Sequence, residues 1–287
     1  MKLSMRIIVL IVLPGLLLGM ACMDKKPYSS PPGYDLNNPV KYNMPEKLTE
    51  ISGITFHNGK PDSLYAEEDE KGRVYYFKPG DKEVKHTEFG KPGDYEDIGI
   101  LNNRVIMMRS DGVFFVFPLA QVRLGQIGDV QKWNNLLPDG EYEGLYADEV
   151  SGQFYVLCKH CSDENTSKKS TVYSFKVSAD GTSAKQSGQF DINVKDIEAM
   201  TGSKKIAFHP SALTKNTATN EWYILSSVNK MLVVADNAWK VKAIYPINPA
   251  LFRQPEGIAF DNQRNLYISN EGDKVTPGNV LKFNYKK

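Results

Sequence analysis

Glu143-Gly144-Leu145 is one of five copies of a short phrase that decides the fold. The other copies are Ile51-Ser52-Gly53-Ile54, Glu96-Asp97-Ile98, Ser211-Ala212-Leu213 and Glu256-Gly257-Ile258. Each has a polar or acidic residue, then mostly a small one, then an apolar one. At the second position the copies are spaced by 44, 47, 68 and 45 residues. A four-stranded propeller blade takes roughly 40 to 50 residues, so three of the four spacings match one blade.

The repeat predicts an all-β fold, a β-propeller of five four-stranded blades, with six blades as the alternative. The long interval holds a polar insertion at 162–170 and a segment at 194–207. Residues 197–200 in that segment would be a sixth copy, but they lie too close to the next copy to hold a blade. The last blade shows three strands before the chain ends, so residues 40–44 are expected to supply the fourth strand and close the ring.

Residues 1–22 read as an export signal, because two basic residues precede an apolar stretch at 7–18 and small residues follow it. The apolar stretch is too short for a bilayer span, which takes about 20 residues. The end at 19–22 resembles a lipobox, although Gly19 stands where Leu is usual. It predicts lipidation of Cys22, which would anchor the protein to the inner or outer membrane of a Gram-negative-type cell envelope.

Three segments follow from this interpretation: a lipoprotein signal peptide (1–22), a Pro-rich tether (23–39) and a single propeller domain (40–287). Without the signal, the chain has 33 Lys and Arg against 34 Asp and Glu. There is no clustered basic excess, so a nucleic-acid partner is not expected. The expected partners are the membrane, through the anchor, and a small molecule or protein that the sequence does not identify; the chain is expected to be a monomer.

The first strand of a propeller blade lines the central channel, so Glu96, Glu143 and Glu256 are expected to converge at one mouth. Carboxylates crowded in this way bind a cation or have raised pKa values. Oxygen ligands suit Ca²⁺, and Ser52 and Ser211 would help to complete its coordination. In the alternative interpretation each glutamate hydrogen-bonds backbone N–H groups of the next blade and binds no metal.

Other residues offer weaker signals. Asn270 and Glu271 end a predicted strand and are further candidates for the same mouth. Cys158 and Cys161 form a single CxxC pair, which lacks the second pair of a zinc site. Export favours a disulfide between them, with free thiols or a metal as alternatives.

The histidines lie at predicted blade turns and strand ends, and His209 before Pro210 is interpreted as structural. The chain contains no Gly-x-Ser-x-Gly elbow, Walker loop or dinucleotide fingerprint. A triad hydrolase or a nucleotide-dependent enzyme is therefore not indicated by any motif.

The motif order resembles the SdiA-regulated family over about residues 50–285. The stretches that carry the resemblance are 142–145, 197–200, 208–213, 223–227, 232–234, 254–258 and 266–271. The resemblance implies an envelope-associated bacterial β-propeller with no established reaction. Wider relatives include calcium-dependent lactonases, in which a Glu at the start of an inner strand binds the metal. That position matches Glu96, Glu143 and Glu256, whereas two copies of the phrase have Ser instead.

The sequence therefore predicts a membrane-anchored envelope propeller that acts as a binding or scaffold module, with two alternatives for its channel glutamates: they bind Ca²⁺, or they are structural and bind no metal. A metal-dependent hydrolase of lactones or phosphoesters is the alternative. A third interpretation, a propeller that binds only proteins, requires an apolar patch on one rim and no metal.

Overall fold

The computed structural model describes residues 28–162 and 165–287, which form five four-stranded antiparallel sheets. The inner strands lie side by side around a central channel. The strands of each blade are given from inner to outer. Blade 1 consists of β2 (Ile51–Phe56), β3 (Leu64–Glu68), β4 (Arg73–Phe77) and β5 (Lys85–Glu88), and blade 2 of β6 (Tyr95–Leu101), β7 (Arg104–Arg109), β8 (Phe114–Pro118) and β9 (Gln131–Trp133). Blade 3 consists of β10 (Gly140–Asp148), β11 (Gln153–Cys161), β12 (Lys169–Val177) and β13 (Ala184–Asn193), and blade 4 of β14 (Ala212–Asn216), β15 (Glu221–Ser226), β16 (Met231–Ala235) and β17 (Val241–Pro246). Blade 5 consists of β18 (Pro255–Phe260), β19 (Leu266–Asn270), β20 (Asn279–Phe283) and β1 (Val40–Asn43).

The first strand closes the ring. β1 pairs antiparallel with β20, with Val40 opposite Lys282 and Asn43 opposite Asn279. The outer edge of the last blade is thereby paired with the N-terminal part of the described chain. The predicted propeller of five four-stranded blades, closed by the N-terminal strand, is confirmed.

The alternative sixth blade does not form. The residues proposed as a sixth copy lie in α1 (Val194–Thr201), a short helix between β13 and β14. Asn193 caps this helix, because its side chain accepts a hydrogen bond from the Lys195 N–H at 2.9 Å. Gly202 ends it with a left-handed φ of 71°. The connections elsewhere include short 3₁₀ turns at Glu46–Leu48, His57–Gly59 and Leu119–Arg123.

Neighbouring blades pack face to face through apolar and aromatic side chains. Between blades 3 and 4, the rings of Trp222 and Trp239 stack with centroids 4.1 Å apart, and Tyr155 meets Trp222 edge-on at 4.7 Å. Trp133 of blade 2 stacks on Phe154 of blade 3 at 6.2 Å. These tryptophans therefore lie in the apolar contacts between neighbouring blades.

The small residue of the repeated phrase lies where inner strands approach most closely. A Cβ atom at Gly257 would lie 2.4 Å from the carbonyl oxygen of Ser52, and one at Gly53 would lie 2.5 Å from Cα of Asp97. Only glycine fits at such a distance, so the phrase sets the spacing of the strands around the channel.

The N-terminal boundary of the folded unit differs from the prediction. Tyr34 and Leu36, in the predicted tether, are buried against blade 5, and the Tyr34 hydroxyl donates to the carbonyl oxygen of Arg264 at 2.8 Å. The folded unit therefore begins before residue 40. The signal peptide, Cys22 and residues 23–27 lie outside the described residues. Over the part of the chain that the structure describes, no helix is long and apolar enough to cross a membrane.

Candidate cation site at the channel mouth

A β-bulge interrupts the start of the inner strand in four blades, and in three of them it leaves a glutamate without a partner across the ladder. In blade 2, Tyr95 and Asp97 face consecutive residues of β7, so Glu96 has no partner across the ladder. The same shift of register occurs at Glu143 in blade 3 and at Glu256 in blade 5. Bulges commonly re-aim a side chain in this way. The inner strands all begin at one end of the channel, so the three glutamates share one mouth.

Glu271 joins these glutamates, and we call the four residues Glu96, Glu143, Glu256 and Glu271 the acidic mouth. The charge of Glu143 raises the pKa of Glu96. The charge of Glu143 raises the pKa of Glu256, and the charge of Glu256 raises the pKa of Glu271. The sequence analysis predicts Glu96, Glu143 and Glu256 at one mouth, with Asn270 and Glu271 as weaker candidates.

Burial is the main cause of the shifted pKa values at the acidic mouth, and repulsion between carboxylates adds to it. The pKa of Glu96 is raised to about 10, by burial and then by the charge of Glu143. The pKa of Glu256 is raised to about 8 by burial and then by the charge of Glu143, and the pKa of Glu271 is raised to about 9 by burial and then by the charge of Glu256. Burial also raises the pKa of Glu143. Without a cation, the mouth therefore holds protons at neutral pH.

Lys159 is a cation at the acidic mouth that the sequence analysis missed. Its ammonium group pairs with the Glu143 carboxylate and lies 3.0 Å from Oε1 of Glu141. The side chain of Glu143 is only 6% exposed, so this ion pair is shielded from water. Nothing in the sequence signalled the pairing, because it depends on two bulges in adjacent strands.

A second acidic group adjoins the mouth. The side chains of Glu50, Glu68 and Asp69 bring three carboxylate oxygens within 4.8 Å of one another. Their charges reach the mouth, because those of Asp69 and Glu50 contribute to the raised pKa of Glu271. Within 28–162 and 165–287 this is the one acidic set that meets that distance, and Glu96, Glu143 and Glu256 together do not. The acidic run at 67–70, which begins in the last residues of β3, was the signal that could have identified this group.

Three buried oxygen atoms at this end of the propeller accept no hydrogen bond. They are Oε2 of Glu67, Oδ1 of Asp69 and Oδ1 of Asn270. The side chains of Glu67 and Asn270 are fully buried, and the other oxygen of Glu67 accepts a bond from the Gly53 N–H at 2.6 Å. An unpaired buried acceptor costs about 1–3 kcal/mol, so these positions favour a donor or a cation.

The serines of the phrase connect blades. The Ser52 hydroxyl donates to the carbonyl oxygen of Glu96 at 3.1 Å, and the Ser211 hydroxyl donates to that of Pro255 at 2.7 Å. Asp97 acts similarly, since its buried carboxylate accepts the Leu145 N–H at 2.6 Å. The structure therefore places both serines in inter-blade hydrogen bonds, whereas the sequence analysis assigned them to metal coordination.

The remaining predicted positions lie near the same mouth. Cys158 and Cys161 are joined by a disulfide with their Cα atoms 6.1 Å apart, and both are buried. His209 lies close enough to Lys159 for its charge to lower the histidine's pKa, although burial is the larger cause. His209 is therefore a neutral imidazole beside the mouth at neutral pH, in addition to the structural role expected from the sequence.

The opposite end of the channel opens into a cavity of about 360 Å³. The ends of all five inner strands line it, together with polar residues such as Asp148 and Lys215. Lys215 is already engaged, because its ammonium group donates to Asn237 at 2.8 Å and lies 4.9 Å from the ring centre of Trp222. This cavity lies away from the acidic mouth.

Comparisons with known proteins agree with this architecture. The model of a family described as SdiA-regulated matches residues 34–274. No curated protein matches the chain. Among solved structures, the glutaminyl cyclase of Myxococcus xanthus is similar at a TM-score of 0.57 and 13% identity, covering 86% of this chain and 96% of that one.

Two further solved structures show the same likeness of fold. The PQQ-bound aldose sugar dehydrogenase of Streptomyces coelicolor has a TM-score of 0.55 and 10% identity, with 90% of this chain and 100% of that one covered. A luciferin-regenerating enzyme has a TM-score of 0.53 and 11% identity, with 86% and 95% covered. At such identities the likeness concerns the propeller fold and not a reaction.

Proposed function

The chain belongs to the SdiA-regulated family, and on that premise we propose that it is a lipid-anchored envelope propeller that binds Ca²⁺ at the acidic mouth. It acts as a binding or scaffold module. Cys22 carries the lipid, and the segment that follows it holds the propeller away from the membrane surface. The partner recognised by the propeller is a small molecule or a protein.

The observation that carries the proposal is the crowding of buried carboxylates around one channel mouth. Four glutamates lie there with raised pKa values, and Glu50, Glu68 and Asp69 adjoin them. Lys159 pairs with Glu143 and Lys71 pairs with Glu68, so among the described residues five of these seven carboxyl groups have no ion pair. A divalent cation would balance their charge in place of the protons that the raised pKa values retain.

The donor atoms suit Ca²⁺ better than a transition metal. Carboxylates and an amide oxygen are hard ligands, and Ca²⁺ takes about six to eight of them in flexible geometry. Glu67 and Asn270 each contribute a buried oxygen without a hydrogen-bond donor. His209 is the nearby softer ligand, and the cysteines are in a disulfide. These oxygen ligands suit zinc less well, because zinc prefers nitrogen and sulfur ligands.

Calorimetric titration with Ca²⁺ tests the proposal. The full chain, purified in detergent and stripped with chelator, is compared with the double variant Glu143→Gln, Glu256→Gln. We expect saturable binding to the wild type and its loss in the variant. Glu83→Gln is the matched control, because Glu83 is exposed in the loop between β4 and β5. Equal binding to all three proteins would place Ca²⁺ elsewhere.

A metal-dependent hydrolase of lactones or phosphoesters is the second candidate function. It is favoured by the imidazole of His209, which lies beside the acidic mouth with its pKa lowered by burial and can therefore accept a proton from water at neutral pH. Hydrolysis of lactone and phosphoester substrates is measured with Ca²⁺ present. This candidate requires turnover that falls at least about 100-fold in Glu256→Gln. If no substrate is hydrolysed, this candidate is rejected and the binding or scaffold function remains.

A further inference from the structure

We propose that Lys159 is a built-in cation that occupies the acidic mouth and sets which ions can enter it. The inference rests on the proposed function, because it concerns the same site. It assigns Lys159 as a specificity-determining residue: the lysine competes with the bound ion for the carboxylates. Its presence favours divalent over monovalent cations.

The register of blade 3 brings Lys159 to the mouth. Tyr142 faces Cys158 and Glu141 faces His160, so Lys159 has no partner on β10. Its side chain turns out of the ladder at the level where the bulge in β10 turns out Glu143. The ammonium group then pairs with Glu143 and with Glu141.

The backbone around Lys159 is fixed on both sides. The flanking residues Cys158 and Cys161 are joined by the disulfide. The carbonyl oxygen of Cys158 accepts a hydrogen bond from the Ser170 hydroxyl at 2.7 Å. The Ser162 N–H donates to the carbonyl oxygen of Asp139 at 3.1 Å. Lys159 therefore lies near the end of a strand whose backbone is held by these bonds, and its position does not depend on a mobile loop.

An ion that binds to Glu143 has to replace the ammonium group or share the carboxylate with it. The ammonium group and a monovalent ion carry the same charge, so the exchange gains no electrostatic energy. A divalent ion gains the attraction of a second charge, which is largest where water is excluded. The side chains of Lys159 and Glu143 are 28% and 6% exposed, so the exchange takes place in a shielded site.

The test compares four proteins: wild type, Lys159→Met, Lys159→Arg and the control Lys169→Met. Met keeps the length of the side chain and removes its charge, whereas Arg keeps the charge. Lys169 pairs with Asp191 at 3.1 Å on the outer strands of the same blade, so its loss removes a similar ion pair away from the mouth. Ca²⁺ and Na⁺ affinities are measured by calorimetry and by the change in melting temperature on the full chain in detergent.

We expect Lys159→Met to bind Ca²⁺ at least about tenfold more tightly than wild type and to gain measurable Na⁺ binding, since removal of one competing charge is worth at least that factor. Lys159→Arg and Lys169→Met should bind like wild type. If the wild type binds Ca²⁺ and Lys159→Met binds it equally well or more weakly, the inference about Lys159 is overturned and the proposed Ca²⁺ site remains. Absence of Ca²⁺ binding in both would overturn the site itself.

Discussion

Substituting Gly257 by alanine should destabilise the propeller, because this glycine lies where blades 5 and 1 are closest. The added Cβ would lie 2.3 Å from the Ser269 hydroxyl oxygen and 2.4 Å from the carbonyl oxygen of Ser52. Those two atoms are themselves hydrogen-bonded at 2.6 Å, with the hydroxyl donating. The alanine would therefore push apart two inner strands and break the bond that joins them.

The expected cost follows from these two effects. Overpacking typically costs about 1–3 kcal/mol, and loss of a buried hydrogen bond adds about 1 kcal/mol. The sum is about 2–4 kcal/mol of unfolding free energy. For a domain of this size, each kcal/mol corresponds to about 2–4 °C. The melting temperature should therefore fall by about 4–16 °C.

Gly128→Ala is the matched control. An added Cβ there meets no atom within 4 Å, and the φ of this glycine is not in the left-handed region. Its effect should lie within about 0.5 kcal/mol. Thermal and urea unfolding of both variants are followed by circular dichroism. A Gly257→Ala protein that melts within about 2 °C of the control would refute the close approach of the inner strands.

Three further predictions concern the mouth, the disulfide and the anchor. The pKa values of Glu256 and Glu271 are raised from 4.5 to about 8 and about 9, so the folded state holds protons that the unfolded state has lost. In chelator, the stability these groups contribute should decline as pH rises from about 5 to about 9, and Glu256→Gln should flatten the pH dependence of the melting temperature. Serine at both Cys158 and Cys161 should lower the unfolding free energy by about 2 kcal/mol in urea, as expected for a short closed loop; an unchanged midpoint would argue against the bond. Cys22→Ser should move the protein from the membrane to the soluble fraction and abolish incorporation of labelled palmitate, and retention in the membrane would contradict lipid anchoring.

The sequence was sufficient for the blade count because the phrase marks every inner strand. Its acidic or polar residue, small residue and apolar residue correspond to a channel-facing position, a close approach such as Gly257, and a core position such as Ile258. Local pattern and fold agree here. Closure by the N-terminal strand followed from the same pattern, since the last blade needed a fourth strand.

The finer structure of the site depends on contacts between blades. Lys159 reaches Glu143 only because β10 and β11 are both out of register at that point. Residues 197–200 resemble the phrase but are capped as a helix by Asn193 and Gly202. Tyr34, in a Pro-rich stretch typical of a tether, is buried on blade 5. The caps Asn193 and Gly202 are local signals for a helix, whereas the contacts of Lys159 and Tyr34 are tertiary and no local pattern encodes them.

The metal content of the full chain, purified in detergent without chelator, tests the central claim most directly. Elemental analysis is combined with melting curves in Ca²⁺ and in chelator. We predict about one Ca²⁺ per chain and, at about 100 times the dissociation constant, a gain of about 2.7 kcal/mol over the chelated protein. A protein that contains no metal and melts identically in Ca²⁺ and in chelator would contradict the claim that the acidic mouth is a cation site.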